Sequence, residues 1–452
     1  MIYTDQSQNR RKGEHMAAKR VVVVGAGIAG LTAAFRLQQA GYTVRVLEAG
    51  GRVGGRMITI EWQGIRIDPG AEFITGADRY LLKLVDELGV RDRLIDFSQE
   101  QTGFDVTVMR DGKLHTVNFM SIPSYLRWTG VSLGARLSMA KLLPYLLRYR
   151  RANPFHPEAA PGDDQEGMES FFYRAINGEM FEYWVEPTFD VFCSFAPEDL
   201  SAKMMLLMFG NYLGAKLYTF AGGIGFLPDT LASRLDVTCN APVTHIALRA
   251  DGDGATVRYA VDGQDQALEA EIVVVAAPGD SVLTLFDAPR PAWKRFFPGV
   301  SYSRVGVVYS LAESDDPALD KGSGIMFPRR EPYKLAAFDW KRQPDGRVLA
   351  MADLKATHYN PAMTDAEVKR TITEEMIRVA PAFEGVIRDQ LVVRWERKVP
   401  RFPAGYLSAL KAFKADSQEG PVYFCGDYQV GFSAGSALAS GWLCADRVME
   451  AG

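Results

Sequence analysis

Cysteine is scarce, with four residues in a chain of 452. Cys193, Cys239, Cys425 and Cys444 stand apart, without a CxxC pair or histidines at ligand spacing. That pattern excludes a zinc site or a disulfide framework, predicts no bound metal, and fits a reducing compartment, the cytoplasm. Neither sign of charge is in excess. The formal net charge is −4, which argues against nucleic acid as a partner. No run of about eighteen apolar residues exists, so no transmembrane helix is expected. The opening MIYTDQSQNRRKGEHM has no apolar core of the signal-peptide kind, and residues 1–18 read as a disordered leader. Internal repeats are also missing.

What is present begins at VVVVGAGIAGLTAAFRLQQAGYTVRVLEA. An apolar strand, a glycine turn, a helix over 31–40 and a second strand make a βαβ unit. Gly25, Gly27 and Gly30 form GxGxxG: the first permits the turn, the second lets a pyrophosphate approach the backbone, the third allows close helix–strand packing. Ile28 and Ala29 open the helix, whose free N–H groups face the anion. Glu48, about twenty residues on, suits the ribose hydroxyls and repels a 2′-phosphate. The unit accommodates NAD or FAD. Arg52-Val53-Gly54-Gly55-Arg56 follows at once, its glycines letting the chain pass close to the dinucleotide. Its arginines suit pyrophosphate or Glu48. A second GxGxxG after a strand is absent, which argues against NAD(P)H as the electron source.

Residues from about 120 to 218 change in character. LGARLSMAKLLPYLLRYRR predicts a helix broken near Pro144, and SFFYRAINGEMFEYWVEPTFDVFC is aromatic and helical in pieces. Strands return in VTCNAPVTHIALR, ATVRYAV and EIVVVAAPG, and later in SRVGVVYSL, KLAAFDW and RVLAMADL. The expected fold class is α/β: a Rossmann-type dinucleotide domain plus an α+β substrate domain with a mixed sheet and a helical insertion. The first domain is assigned residues 19–105, 218–288 and 395–452, the second 106–217 and 289–394. Arg127, Arg136, Lys141, Arg148, Arg150 and Arg151 lie without an acid among them. They read either as a solvated helix face or as a peripheral contact with an anionic membrane. Oligomeric state is left open.

GAGIAGL, VLEA and RVGGR together resemble the flavin-containing amine oxidase superfamily, which includes protoporphyrinogen oxidases and phytoene-type desaturases. The resemblance implies FAD. This copy has Gly50-Gly51 where an arginine and an acid often stand. It further implies cofactor contacts at Ala49 and at DPGAEF, where Pro69, Gly70, Ala71 and Glu72 pass the flavin ring. Val243 takes the place of a backbone contact to adenine. In VYFCGDYQVGFSAGSALASG, Gly426, Asp427, Ser436 and Ala437 take the C-terminal flavin motif. RWERKVPRFPAGYLSAL has no cysteine, so non-covalent FAD is expected.

Over the flavin the resemblance places Tyr406, eleven residues after Trp395, as one wall of an aromatic cage, and Arg304 where many relatives carry a lysine. Trp395 and Tyr406 read equally as core residues, and Arg304 as a solvated or ion-paired one. The implied reaction removes a hydride from a C–N bond of a largely apolar amine or amino acid, with dioxygen or another small acceptor reoxidising the flavin. The alternative is dehydrogenation of C–C or ring bonds, as in protoporphyrinogen oxidases or desaturases.

Overall fold

The computed structural model describes residues 18–96, 105–118, 121–212, 214–250, 252–320, 322, 324–416 and 420–451. All but the last residue of the expected leader, 1–18, lies outside the described residues. In chain order the elements that position the site begin with β1 (Arg20–Val24), α1 (Ile28–Gln39), β2 (Thr43–Leu47), β3 (Asp105–Arg110) and β4 (Lys113–Asn118). Helices α2 (Ile122–Arg127), α3 (Leu133–Ser138), α4 (Leu143–Tyr149) and α5 (Glu186–Cys193) follow. Then come β5 (Val237–Thr238), β6 (Ile272–Val275), β7 (Val305–Ala312), β8 (Ile325–Met326), β9 (Leu335–Arg342) and β10 (Val348–Leu354). The chain closes with α6 (Asp365–Val379), β11 (Ile387–Trp395), β12 (Val422–Phe424) and α7 (Ala434–Ala451).

The first sheet is parallel throughout, in the order β5-β2-β1-β6-β12. Its strands come from both ends and the middle of the chain. Val22 and Val24 join one core cluster, Val21 and Val23 another. Burial on both faces is why β1 is continuously apolar rather than alternating. Helix α7 lies against α1 so closely that a Cβ on Gly441 would stand 2.0 Å from the Ala29 carbonyl oxygen. Only glycine allows that approach.

The second sheet has seven strands, in the order β11-β7-β10-β9-β8-β3-β4. Its pairs are antiparallel except β8 with β3, which makes it a mixed sheet. The helices between 121 and 212 form the insertion, and the break near Pro144 falls where α4 begins, with the proline in its first turn. A proline there loses no hydrogen bond, because the first-turn N–H groups have no intrahelical acceptor.

Side-chain alternation divides the second sheet. Val305, Val307 and Tyr309 of β7 share one face with Val393 and Trp395 of β11 and with Ile65 and Ile67. Cross-strand pairing puts Asp353 beside Val307, and Asp339 beside Met351, on that same face. Val308 and Ala312 face the other way, into the cluster with Val368, Ile372 and Met376 of α6.

Candidate active site

The glycine turn after β1 is stitched to the RVGGR segment. Gly54 N–H donates to the Ala26 carbonyl at 2.9 Å, and Gly27 and Gly54 form a parallel bridge. A Cβ on Gly27 would meet nothing within 4 Å, whereas one on Gly30 would lie 2.0 Å from the Gly25 carbonyl oxygen. Gly27 therefore borders open space at the helix start, while Gly30 is a packing glycine. The free N–H groups of Ile28, Ala29 and Gly30 at the first turn of α1 suit an anion there.

Glu48 is fixed beside this space. One carboxylate oxygen accepts from Ala26 N–H at 2.7 Å, the other from Gly50 N–H at 2.8 Å. Each oxygen keeps a lone pair for a hydroxyl donor. Main-chain bonds from Asn240 and Ala241 to the carbonyls of Gly50 and Glu48 lay the start of the Val243 strand against the Glu48–Ala49 turn. Arg52 is exposed and donates to the Gly55 carbonyl at 3.4 Å.

Arg56 joins three segments. It pairs with Asp427 at 2.7 Å, donates to the Lys398 carbonyl at 3.0 Å and lies over the Tyr302 ring. Asp427 is almost fully buried and Arg56 is one-third exposed, so the arginine also faces the cleft. Ala71 N–H donates to the Arg56 carbonyl, and the Trp395 indole N–H donates to Pro69 at 2.7 Å. A Cβ on Gly70 would stand 2.1 Å from the Arg56 oxygen and 3.2 Å from the Trp395 ring. Pro69 and Gly70 are thus clamped between Arg56 and Trp395. At the other end of the cradle, Gly426 N–H donates to Ser440, and Ser436 and Ala437 are buried in the first turn of α7. Open space at Gly27, a fixed carboxylate at Glu48 and an arginine at the far end fit an adenosine diphosphate that continues towards Trp395.

Beyond the clamped Pro69 and Gly70 the surroundings become acidic. Glu72 is half-buried, and burial pushes it up to about 7 against the pull of Lys398. Burial likewise pushes Asp353 up to about 7 and Asp190 to about 6, with Lys398 opposing both. Glu186 is pushed up to about 8 by burial and by Asp190, and one of its buried oxygens has no hydrogen-bond partner. The Lys398 ammonium donates to Val191 carbonyl at 3.1 Å and to Ser194 hydroxyl at 3.0 Å. Phe73 meets the exposed ring of Phe192 edge-on at 5.8 Å.

Two residues expected over the flavin are elsewhere. A side chain lining a ligand space shows surface when that space is open, but Tyr406 is only 5% exposed. Its hydroxyl donates to the Tyr428 carbonyl and its ring packs on Phe296 and Phe402, so Tyr406 is a core residue. Arg304 precedes β7 in register with Gly306, which backs onto Tyr359 on the α6 side. It points away from Trp395 and pairs with exposed Glu396 at 3.7 Å. Sequence reading overlooked Lys398, Asp353, Asp190 and Glu186. For Asp353 and Asp190 the available signal was a charge inside an apolar run, AMADL and PTFDVF, where a solvated charge does not belong.

A profile of the flavin containing amine oxidoreductases matches residues 28–449. Protoporphyrinogen oxidase 2, chloroplastic/mitochondrial, of Arabidopsis thaliana is 23% identical over 97% of this chain and 95% of its own length. Putrescine oxidase of Kocuria rosea is 42% identical over 122 residues, 27% of this chain and 24% of that one. A solved triple mutant of putrescine oxidase shares the fold with a TM-score of 0.76 at 20% identity, over 96% of this chain and 99% of that one. The chain belongs to the flavin containing amine oxidoreductases and is an FAD-dependent oxidoreductase.

Proposed function

We propose that the protein oxidises the C–N bond of a small amine, using dioxygen as the acceptor, in the cytoplasm. The carrying observation is the pair of half-buried carboxyls Glu72 and Asp339, with buried Asp353 on the same sheet face, the one that also bears Trp395 and turns to the dinucleotide cradle. Carboxyls in that setting attract an ammonium group. The four unpaired cysteines suit a reducing compartment.

In this reading the three-piece domain, 19–105, 218–288 and 395–452, holds FAD, and 106–217 with 289–394 holds the substrate. Gly25, Gly27, Ile28, Ala29 and Gly30 receive the diphosphate, Glu48 with Ala49 the ribose, and Val243 the adenine. Arg52, Gly54, Gly55 and Arg56 follow the diphosphate, with Gly426, Asp427, Ser436 and Ala437 across from them. Pro69, Gly70, Ala71 and Glu72 take the ring. FAD, when bound, supplies a two-electron acceptor for the substrate hydride. Trp395 fixes the loop under the ring. Glu72 and Asp339 bind the ammonium and Glu72 takes its proton, so that a neutral amine is presented, while buried Asp353 acts on Glu72 through charge. Phe73 and Phe192 replace Tyr406 as the aromatic contacts, and Lys398 replaces Arg304 as the nearby cation.

A second reading, oxidation of a porphyrinogen-like substrate, is favoured by the match along nearly the whole length of Arabidopsis protoporphyrinogen oxidase 2. The acidic residues oppose it, since such substrates carry carboxylates. Aerobic peroxide formation should appear with diamines or apolar monoamines and not with protoporphyrinogen. Oxidation of protoporphyrinogen with no response to any amine would reverse the assignment.

A further inference from the structure

Between residues 112 and 157 the chain carries seven lysines and arginines and no aspartate or glutamate, in a protein of net charge −4. The same stretch bears Leu126, Leu133, Leu137, Leu143 and Leu147, each between 46% and 59% exposed. Single exposed leucines need no explanation, but a group of five on consecutive short helices does. The helices are not loosely placed: Trp128, Ala135, Leu142 and Tyr149 turn inward into the cores. The Tyr125 hydroxyl donates to the Arg136 carbonyl and ties α2 to α3. With the inward positions spent on packing, the leucines are left on the outer face.

We infer that the outer face of α2, α3 and α4 docks on an anionic lipid bilayer, with the leucines in the acyl boundary and the basic side chains among the headgroups. Basic residues are interleaved with the leucines: Arg127 follows Leu126, Arg136 precedes Leu137, and Arg148 follows Leu147. The apolar composition favours a bilayer over a protein partner: the exposed large apolar side chains of these helices are all leucine, whereas protein interfaces are enriched in aromatic residues. At a headgroup layer a long basic chain reaches up from beside a buried leucine. Glu179 reaches this face through Ser132, and it is already held by Arg110 at 2.6 Å. The inference does not depend on which bond the enzyme oxidises.

The test is sedimentation of the full-length, flavin-loaded protein with two kinds of vesicle, phosphatidylcholine alone and phosphatidylcholine with about a third phosphatidylglycerol. Binding is expected to the second only, and to fall as salt is raised. Leu133→Ser/Leu137→Ser/Leu147→Ser and, separately, Arg148→Gln/Arg150→Gln/Arg151→Gln should each weaken it by about tenfold or more. Flavin absorbance and thermal midpoint should not change, because all six side chains are exposed. Absence of wild-type binding to both kinds of vesicle, or binding by both variants as tight as that of wild type, overturns the inference. So does a wild-type dimer that the leucine variant separates, which would make this face an interface between copies.

Discussion

The guanidinium of Arg56 meets the carboxylate of Asp427 at 2.7 Å. That pair ties the end of the first βαβ unit to the segment after the last strand of the parallel sheet. Asp427 is enclosed, while a third of the arginine faces the cleft. The arginine thus compensates a buried charge on one side and remains available to an anion on the other.

Arg56→Met removes both roles. It leaves Asp427 buried without its cation, at a cost of about 2 kcal/mol, below the usual figure for a fully buried pair because Arg56 is partly exposed. FAD content on purification should fall as well. Asp427→Asn, which keeps a polar group for Arg56, should cost less. The checks are thermal melting and the absorbance ratio of flavin to protein. Normal FAD content in Arg56→Met would remove Arg56 from the cofactor site.

Two glycine substitutions should separate packing from binding. Gly27→Ala places its methyl in open space, so the apoprotein should melt like wild type while FAD binding weakens by at least about tenfold. Gly441→Ala drives a methyl to 2.0 Å from the Ala29 oxygen and must push α7 off α1. It should destabilise the fold by about 1–3 kcal/mol or more. Melting curves with and without added FAD distinguish the cases. The space at Gly27 is not the diphosphate site if Gly27→Ala binds FAD normally.

The dinucleotide unit was legible because its determinants are local. A continuous valine strand, three glycines and one acid at fixed spacing describe a turn that can be read without knowing the rest of the fold. The substrate side resisted for two reasons. Spacing carried over from relatives put Tyr406 near the flavin, but Phe296, Phe402 and the Tyr428 carbonyl satisfy both its ring and its hydroxyl inside a core. Strand parity put Arg304 on the α6 side of the sheet, a matter of register that one strand alone does not reveal. Lys398 was hidden in RWERK, a stretch that reads as surface. The strand ends at Trp395, Glu396 and Arg397 remain outside, and Lys398 turns inward to Val191 and Ser194.

The raised carboxyls set a pH dependence. For a carboxyl whose folded value is raised, the folded state holds the proton more tightly than the unfolded one. Its contribution is present at low pH and lost as pH rises from the ordinary value, 4.5 for Glu72, to about 7. Asp353 acts in the same direction, losing its contribution by about 7. The thermal midpoint should therefore fall between pH 5 and 8, by about 2–5 °C. Glu72→Gln/Asp353→Asn should flatten that slope. A diamine should raise the wild-type midpoint more at pH 8 than at pH 6, because the carboxylates that hold it are then charged. A slope that the double variant leaves unchanged would place the titrating groups elsewhere.

Lys398 gives the last test. Its ammonium pulls Glu72, Asp353 and Asp190 down against the burial that raises them, while its hydrogen bonds go to Val191 and Ser194 rather than to those carboxyls. It acts on those carboxyls through charge, as a positioning residue. Lys398→Met keeps the apolar stem and removes the cation, so the carboxyls should ionise only at higher pH. The alkaline shift in the pH at which amine turnover reaches half its maximum should be about one unit. FAD content should be retained, because Arg56 is bound by the Lys398 main-chain carbonyl, which the substitution preserves. A purely structural role for Lys398 predicts lower activity at every pH with an unmoved profile, and that result would refute the electrostatic role. An unshifted profile in Lys398→Met together with a shifted one in Asp353→Asn would instead make Asp353 the titrating group and separate it from the lysine.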